Sequence, residues 1–137
     1  MLNYLRALIV AVRAHKGQHD KAGRAYIWHP IRVAMMVHGS DAKIVAILHD
    51  VIEDSECTLK DLPFLPLAQR EALLLLTKDK DADYEAYINK IAENPIAKAV
   101  KIADLKHNSN LKRLSSISQN DIARKEKYIK ALRILTA

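Results

Sequence analysis

Glycine, proline and cysteine are all scarce in this chain: its 137 residues include three glycines, four prolines and one cysteine. With so few turn-forming residues, and with apolar residues that recur mostly at spacings of three and four, the sequence favours an all-α fold. The single cysteine, Cys57, has no partner for an internal disulfide, which is consistent with a reducing cytoplasm. It also excludes a structural zinc site built from several thiolates.

Long apolar runs are lacking as well. The apolar stretch near the N-terminus is interrupted at Arg13, His15 and Lys16, well short of the roughly 20 residues that a membrane-spanning helix needs. Half of the residues are nonetheless hydrophobic and 28% are charged, which indicates a folded protein. We therefore expect one compact domain over residues 1–137, in the cytoplasm and without membrane association.

The positions of the helices follow from apolar periodicity and from the few turn-forming residues. The second helix is expected to begin at His29-Pro30 and to stop at Gly39, and Thr58 and Pro66 mark short starts further along. The third helix is apolar almost all round, so it should be central. Helices are predicted over the following ranges: 2–15, about 29–38, 41–53, through 71–76, about 82–92, from 95 through 104, and about 120–135. The last helix is expected to turn five residues inward: Ile122, Tyr128, Ile129, Leu132 and Leu135.

Four polar residues interrupt apolar helical segments where valine or leucine would be expected: His29, His49, Asp50 and Asp104. Burying an imidazole or a carboxylate is costly unless a partner satisfies it. Two imidazoles and two carboxylates form a mixed nitrogen and oxygen ligand set that suits Mn²⁺, Fe²⁺ or Zn²⁺. Each residue alone has an ordinary alternative, since a histidine can cap a helix and Asp104 can pair with a nearby lysine such as Lys101.

Two further carboxylates, Glu53 and Asp54, follow His49 and Asp50 at a spacing of four residues. On a continuous helix this spacing brings like charges together, and a divalent ion would relieve the repulsion. Such an ion lowers the pKa of a water molecule, and Glu53 or Asp54 could orient or deprotonate that water. The pattern therefore favours a metal-dependent hydrolase acting on a phosphate ester or pyrophosphate.

These polar residues stand in short motifs that are distributed along most of the chain. The segments are Ala14-His15-Lys16-Gly17-Gln18, Tyr26-Ile27-Trp28-His29-Pro30, Ile47-Leu48-His49-Asp50-Val51-Ile52-Glu53-Asp54-Ser55, and Val100-Lys101-Ile102-Ala103-Asp104 with His107-Asn108. As a set they resemble the HD-domain phosphohydrolases, and within them the hydrolase half of RelA/SpoT-type alarmone enzymes and their small single-domain relatives. The resemblance implies a helical bundle that removes pyrophosphate from the 3′ position of ppGpp, guanosine-3′,5′-bis(diphosphate). It also leads us to expect no synthetase or regulatory domain in this chain.

The same resemblance implies a role for eight residues. The implied metal ligands are His29, His49, Asp50 and Asp104, with manganese as the usual ion and Fe²⁺, Zn²⁺ or Mg²⁺ as alternatives. The implied water-activating pair is Glu53 and Asp54, and the implied nucleotide contacts are Lys21 and Asn108.

Three positions depart from the alarmone hydrolase pattern. Asp20 stands before Lys21, where these enzymes commonly place an arginine that packs on guanine, Leu105 replaces an arginine after Asp104, and Ala25 replaces a proline. Losing the cation–π contact alone would weaken guanine binding by roughly 0.5–2 kcal/mol. Another phosphorylated nucleotide, or a dinucleotide such as NADPH, therefore stays open as the substrate.

The C-terminal third of the chain is basic. From Lys98 onward, ten lysines and arginines stand against Asp104, Asp121 and Glu126. This excess could meet nucleotide phosphates, nucleic acid or only solvent. A nucleic-acid or partner-binding module is thus the alternative from another class, although the seven scattered aromatic residues form no obvious base-stacking platform. A domain that binds metal without turnover is a further alternative, and the oligomeric state is not predicted.

Overall fold

The structure, a computed structural model, describes residues 2–110, 114 and 116–137, and within these residues the all-α prediction is confirmed. The α-helices of this part are α1 (Leu2–Ala14), α2 (Trp28–Met36), α3 (Ser40–Leu48), α4 (Val51–Asp54), α5 (Leu67–Leu76), α6 (Tyr84–Ala92), α7 (Pro95–Asn108) and α8 (Gln119–Thr136). A 3-10 turn occupies Leu59–Asp61, and an isolated antiparallel bridge joins His19 to Ala25. Among the described helices, none is both long enough and apolar enough to cross a membrane.

The helix α3 is the centre of the domain. It packs against α1, α2, α5 and α7, and six of its nine residues are buried. Ile47 and Leu48, at its C-terminal end, are completely buried. A helix that is apolar on nearly every side cannot lie at the surface without exposing much of that area, so the predicted central position is confirmed.

The chain is not helical at His49 and Asp50, which corrects the prediction of one continuous helix over 41–53. α3 ends at Leu48, and Asp50 then precedes α4 with φ −105° and ψ −3°. These angles fall in a sparsely populated region of backbone space in which many active-site residues are found. Apolar periodicity indicates which residues are buried, and it continues through Val51, so it could not reveal this interruption of the helix.

Two other helix starts differ slightly from the predicted ones. α2 begins at Trp28 because the backbone N–H groups of Trp28 and His29 already donate to the carbonyls of Ala25 and Tyr26. Pro30 therefore lies inside the first turn, where its missing N–H is not needed. The short start predicted at Pro66 and the helix predicted through 71–76 form one element, because Pro66 directly precedes α5.

The inward face predicted for α8 is partly wrong. Ile122 and Ile129 are 41% and 37% exposed, while Ala131 and Leu135 are buried. α8 contacts α6 and α7, which lie along one side of it, so the buried stripe is narrow. A helix of low apolar content at the edge of a domain needs only such a stripe, and its isoleucines can face solvent.

Candidate metal centre and adjoining cleft

The four residues predicted as metal ligands converge in the structure. One ligand atom from each of His29, His49, Asp50 and Asp104 lies within 4.8 Å of the others. Atoms bound to one ion at about 2.0–2.3 Å are separated by roughly 3–4.5 Å, so the cluster has the dimensions of a metal site. α2 supplies the first histidine, the break between α3 and α4 supplies the next two residues, and α7 supplies Asp104.

The ring nitrogens and the carboxylate oxygens face the same point. His29 Nε2 lies 2.8 Å from Asp104 Oδ1, and His49 Nε2 lies 3.3 Å from the same oxygen. Asp50 Oδ2 lies 3.0 Å from His49 Nε2 and 3.7 Å from His29 Nε2. The break in the helix therefore allows both His49 and Asp50 to point to this place.

The outer nitrogens of both histidines are engaged by groups outside the cluster. His49 Nδ1 donates to the carbonyl of Ala46 at 2.6 Å, so Nε2 is the nitrogen that faces the carboxylates. Burial lowers the pKa of His49, but Asp50 and Asp104 raise it well above its usual value, so a cation that binds here would replace a proton on Nε2. His29 Nδ1 lies 2.7 Å from His107 Nδ1, and the two rings stack with their centroids 4.9 Å apart. Outer contacts of this kind fix the ring orientation of metal-binding histidines.

The carboxylates are also held by neighbouring groups. Asp104 accepts hydrogen bonds from Lys101 on Oδ2 and from Asn108 on Oδ1, each at 3.0 Å. Tyr26 donates its hydroxyl to Asp50 Oδ2 at 2.5 Å. Burial raises the pKa of Asp104, but Lys101 and His49 lower it by a larger amount. The net pKa of Asp104 therefore lies well below the usual range. For Asp50, burial also raises the pKa, but His49 outweighs it and the pKa falls to about 2.

This donor set fits a divalent cation. Both carboxylates are ionised at neutral pH, both Nε2 atoms point inward, and His29, His49 and Asp104 are almost fully buried. The buried charge of Asp104 and the partly buried charge of Asp50, beside two imidazoles, are well satisfied by an ion of charge +2. The described part of the chain therefore contains a histidine and aspartate group that could bind a metal ion.

The predicted water-activating pair lies on α4, directly after Asp50. Both side chains are exposed, so solvent and substrate can reach them. Glu53 Oε1 accepts a hydrogen bond from the backbone N–H of Lys78, in the segment between α5 and α6. Partial loss of hydration raises the pKa of both Glu53 and Asp54, and the charge of Asp50 raises it further. A carboxylate with a raised pKa is a stronger base than an ordinary one.

A cleft of about 350 Å³ adjoins the four candidate metal ligands. Tyr26 and Asn108 belong to both places, because they line the cleft and donate hydrogen bonds to Asp50 and Asp104 respectively. The two residues predicted to contact the nucleotide, Lys21 and Asn108, both lie in this cleft. The full lining is His19, Asp20, Lys21, Tyr26, Asn108, Arg124 and Tyr128.

Two departures from the family pattern have different surroundings. Asp20 lines the cleft, and its Oδ1 accepts hydrogen bonds from the backbone N–H groups of Ala22 and Arg24 at 2.9 and 3.0 Å. The carboxylate thus closes the turn that carries Lys21, which is a common use of aspartate in loops. Leu105 is completely buried in the core and does not line the cleft.

The structure adds four site residues to those that the sequence indicated. Tyr26 and His107 stand inside recognised motifs, but nothing in the sequence assigned them a contact. Arg124 and Tyr128 come from α8 and line the cleft opposite the loop of Lys21. Their spacing of four residues places them on one helix face, but the spacing alone does not show that this face lines the cleft.

A larger groove lies between α6 and α8, away from the four candidate metal ligands. It has a volume of about 530 Å³, and its wall contains Tyr84, with the ammonium of Lys127 4.0 Å from the ring centroid. No residue of the metal cluster lines it. The smaller cleft beside Asp50 and Asp104 is therefore the better candidate for a ligand site, because two of its lining residues contact the residues that could bind a metal ion.

Sequence comparison relates the chain to several longer proteins, although no protein-family model matches it. It is 34% identical over 142 aligned positions to a Synechocystis protein described as a probable guanosine-3′,5′-bis(diphosphate) 3′-pyrophosphohydrolase, covering 90% of this chain and 19% of that protein. It is 39% identical over 61 residues to the bifunctional (p)ppGpp synthase/hydrolase SpoT of Escherichia coli, covering 42% of this chain and 9% of SpoT. A GTP pyrophosphokinase of Streptomyces coelicolor is 46% identical over 61 residues, or 42% of this chain and 7% of that protein. The chain therefore spans less than a fifth of the length of each of these relatives.

Structural comparison relates the chain to a solved protein of similar size. That structure is described as a metazoan ortholog of SpoT that hydrolyzes ppGpp and plays a role in starvation responses. It matches with a TM-score of 0.74 and 22% identity, covering 98% of this chain and 84% of the other. At this identity the likeness is one of fold. The chain thus has the all-helical fold of the metazoan SpoT ortholog and a sequence similar to one segment of the RelA/SpoT-type proteins, as its motifs predicted.

Proposed function

We propose that the chain is a metal-dependent phosphohydrolase, with ppGpp or a related 3′-phosphorylated guanine nucleotide as its substrate. The observation that carries the proposal is the convergence of His29, His49, Asp50 and Asp104 beside a cleft that contains two cationic side chains. The names of the Synechocystis relative and of the metazoan SpoT ortholog support the choice of ppGpp. A cytoplasmic location, predicted from the single cysteine, belongs to the same proposal.

The four converging residues would hold one divalent ion, and we assign it as Mn²⁺. Manganese accepts both imidazole and carboxylate ligands, as do Fe²⁺ and Zn²⁺, whereas Mg²⁺ prefers oxygen ligands. When bound, such an ion polarises a phosphoryl oxygen and lowers the pKa of water. The protein contributes the fixed orientation of both imidazoles through Ala46 and His107.

Glu53 and Asp54 would accept the proton of the attacking water. They are exposed beside Asp50, and their raised pKa values favour proton transfer from water. The hydrogen bond from Lys78 fixes one oxygen of Glu53 and leaves the other available. In the reaction the water oxygen would bond to the phosphorus that is attached to the 3′ oxygen. The bond between this phosphorus and the 3′ oxygen would break, and the proton of the water would pass through the carboxylate to the 3′ oxygen.

The nucleotide would lie in the cleft, with its phosphates near Lys21 and Arg124. Both cations line the cleft, one from the loop before α2 and the other from α8. Lysine and arginine form charge-assisted hydrogen bonds with phosphates, and these are roughly twice as strong as neutral ones. The rings of Tyr26 and Tyr128 would contact the sugar and base, while Asn108 would bind from α7.

Asp20 favours a second candidate within the same chemistry. Its carboxylate lines the cleft beside Lys21 and is fixed there by two backbone hydrogen bonds. A negative group at this place does not stack on guanine as a cation would. The alternative substrate is therefore another phosphorylated nucleotide or a dinucleotide such as NADPH.

A hydrolysis panel tests both candidates. The purified chain would be supplied with Mn²⁺, Mg²⁺ or Zn²⁺, or kept metal-free, and incubated with ppGpp, GTP or NADPH. We expect Mn²⁺-dependent release of pyrophosphate and GDP from ppGpp, measured by anion-exchange chromatography. Faster hydrolysis of NADPH would select the second candidate. Protein that binds Mn²⁺ and cleaves no substrate of the panel would contradict the proposed activity.

A nucleic-acid module makes a different prediction. Binding through the basic C-terminal third would depend steeply on salt, because each neutralised phosphate releases counterions. A gel-shift titration over a range of salt concentrations separates the two classes. Tight, salt-sensitive binding of oligonucleotides by a chain that hydrolyses no nucleotide would favour the module.

A further inference from the structure

Lys101 is an enclosed cation beside the four candidate metal ligands, and it has no role in the proposed reaction. Its side chain is 14% exposed, and its ammonium lies 3.0 Å from Asp104 Oδ2. The same ammonium lies 5.3 Å from the centroid of the Tyr87 ring. Enclosing an ammonium group is unfavourable unless its charge is well compensated, so the contact with Asp104 is what makes a lysine tolerable here.

The position of Lys101 is fixed from a second helix. Tyr87, on α6, donates its hydroxyl to the carbonyl of Leu76 at 2.6 Å, which holds the ring that Lys101 contacts. Burial lowers the pKa of Lys101, but Asp104 and then Tyr87 raise it, and the net pKa lies above the usual range. Lys101 is therefore a fixed positive charge at neutral pH.

The two oxygens of Asp104 have different surroundings because of Lys101. Oδ2 accepts the hydrogen bond from Lys101. Oδ1 lies near His29 Nε2, His49 Nε2 and Asn108 Nδ2, at 2.8, 3.3 and 3.0 Å. Only Oδ1 thus faces the point on which the two imidazoles converge.

We propose that Lys101 is a positioning residue that restricts Asp104 to one metal-binding oxygen. This inference rests on the metal site proposed above. A carboxylate can bind an ion through one oxygen or two, and a second oxygen takes up a coordination position. Hydrolytic sites keep such a position open for water or substrate. By retaining Oδ2, Lys101 keeps that position available.

The test compares the Mn²⁺ forms of the wild type, Lys101→Met, Lys101→Arg and the control Lys106→Met. Met is similar to lysine in length and lacks the donor, Arg keeps both donor and charge, and Lys106 is an exposed lysine on the same helix. The number of exchangeable waters on Mn²⁺ is measured by ¹⁷O relaxation, the Mn²⁺ affinity by electron paramagnetic resonance, and kcat by pyrophosphate release.

We expect Lys101→Met to lose one exchangeable water while it still binds one Mn²⁺ per chain. Its kcat should fall about 10–100-fold, the usual effect of removing a group that orients a metal ligand. Lys101→Arg and Lys106→Met should keep the wild-type number of waters. An unchanged number in Lys101→Met, or the same loss in Lys101→Arg, would overturn the proposal.

A crystal structure of the Mn²⁺-loaded wild type is a test that does not depend on a variant that folds. It should show Asp104 bound through Oδ1 with Oδ2 on Lys101, and chelation by both oxygens would overturn the inference. A wild type that binds no Mn²⁺ would overturn the metal site itself. The wild type could also fail to hydrolyse any nucleotide while Lys101→Met still loses one Mn²⁺-bound water. That combination would overturn the proposed activity and support the role of Lys101.

Discussion

The cluster of four candidate metal ligands and the cleft beside it are built in different ways. The cluster is assembled from α2, α7 and the break after α3, and nearly every polar atom in it has a partner at 2.5–3.3 Å. The cleft joins a loop to a distant helix through longer contacts. Asp121 lies 3.5 Å from Lys21 and 3.4 Å from Arg124, and those two cations are 54% and 35% exposed.

This difference separates the chemistry from the choice of substrate. Exposed ion pairs contribute about 0–1 kcal/mol, so the cleft cations can change partners or be replaced with little effect on stability. Breaking an enclosed pair leaves an uncompensated charge and is far more costly. Substitutions in the cluster should therefore affect folding and catalysis together, whereas substitutions of the two cleft cations, Lys21 and Arg124, should change mainly substrate binding.

The largest effect is expected from Asp104→Ala. The substitution removes a metal ligand and leaves Lys101 enclosed without its carboxylate, so the metal-free protein should lose about 3–5 kcal/mol of stability in urea unfolding. Hydrolysis should fall by at least about 10³-fold, because the ion that activates water is lost. The control Asp81→Ala, at an exposed position, should stay within about 0.5 kcal/mol of the wild type. Equal stability of the two variants would show that the contact between Asp104 and Lys101 contributes little.

Glu53→Gln should separate catalysis from metal binding. We expect kcat to fall roughly 10²–10⁴-fold, as for the loss of a general base, while the affinity for Mn²⁺ changes little. Steady-state kinetics and a Mn²⁺ titration measure the two quantities. Glu56→Gln is the matched control on a neighbouring exposed glutamate and should have wild-type kcat. Wild-type kcat in Glu53→Gln would assign water activation to Asp54 alone.

Arg124→Ala should affect the cleft and leave the cluster intact. A hydrogen bond to a charged group contributes about 1.5–3 kcal/mol, so we expect KM to rise roughly 10–100-fold with kcat nearly unchanged. Lys130→Ala, an exposed cation on the same helix that does not line the cleft, is the control. If both variants raise KM equally, the general positive charge of α8 binds the substrate, and the cleft as described does not.

The smallest effect concerns the pH dependence of stability without metal. Partial burial raises the pKa of folded Glu53 above its usual value, so the folded state holds that proton more tightly than the unfolded state. The resulting stabilisation is present below the unfolded pKa and is lost as pH rises through the folded pKa. Relative to Glu53→Gln, the wild type should therefore show a small fall in Tm as the pH rises above the ordinary glutamate pKa of about 4.3. A wild type that gains stability relative to the variant over this range would contradict the direction of the shift.

The cluster was predictable from the sequence because its members are polar residues in apolar segments of the chain. Each of His29, His49 and Asp104 stands where the pattern requires a buried residue, and all three are buried. The break at Asp50 was not predictable, since the apolar pattern continues through it and the contacts of Asp50 with Tyr26 and His49 arise only after the helices pack.

The cleft was predictable only in part. The motifs indicated Lys21 and Asn108, but the opposite wall depends on how α8 lies against α6 and α7. Because α8 is polar over most of its surface, its apolar residues did not define the inward face, and two isoleucines predicted to be inside are exposed. Arg124 and Tyr128 could therefore be assigned to the cleft only once the helices were in place.

The most direct test of the central claim is the release of pyrophosphate from ppGpp by metal-free protein as Mn²⁺ is added. If the four converging residues form one metal site beside the substrate cleft, the rate should rise with Mn²⁺ and level off at one ion per chain. A rate that stays at the uncatalysed level at every Mn²⁺ concentration, or one that is equally high without metal, would contradict this account.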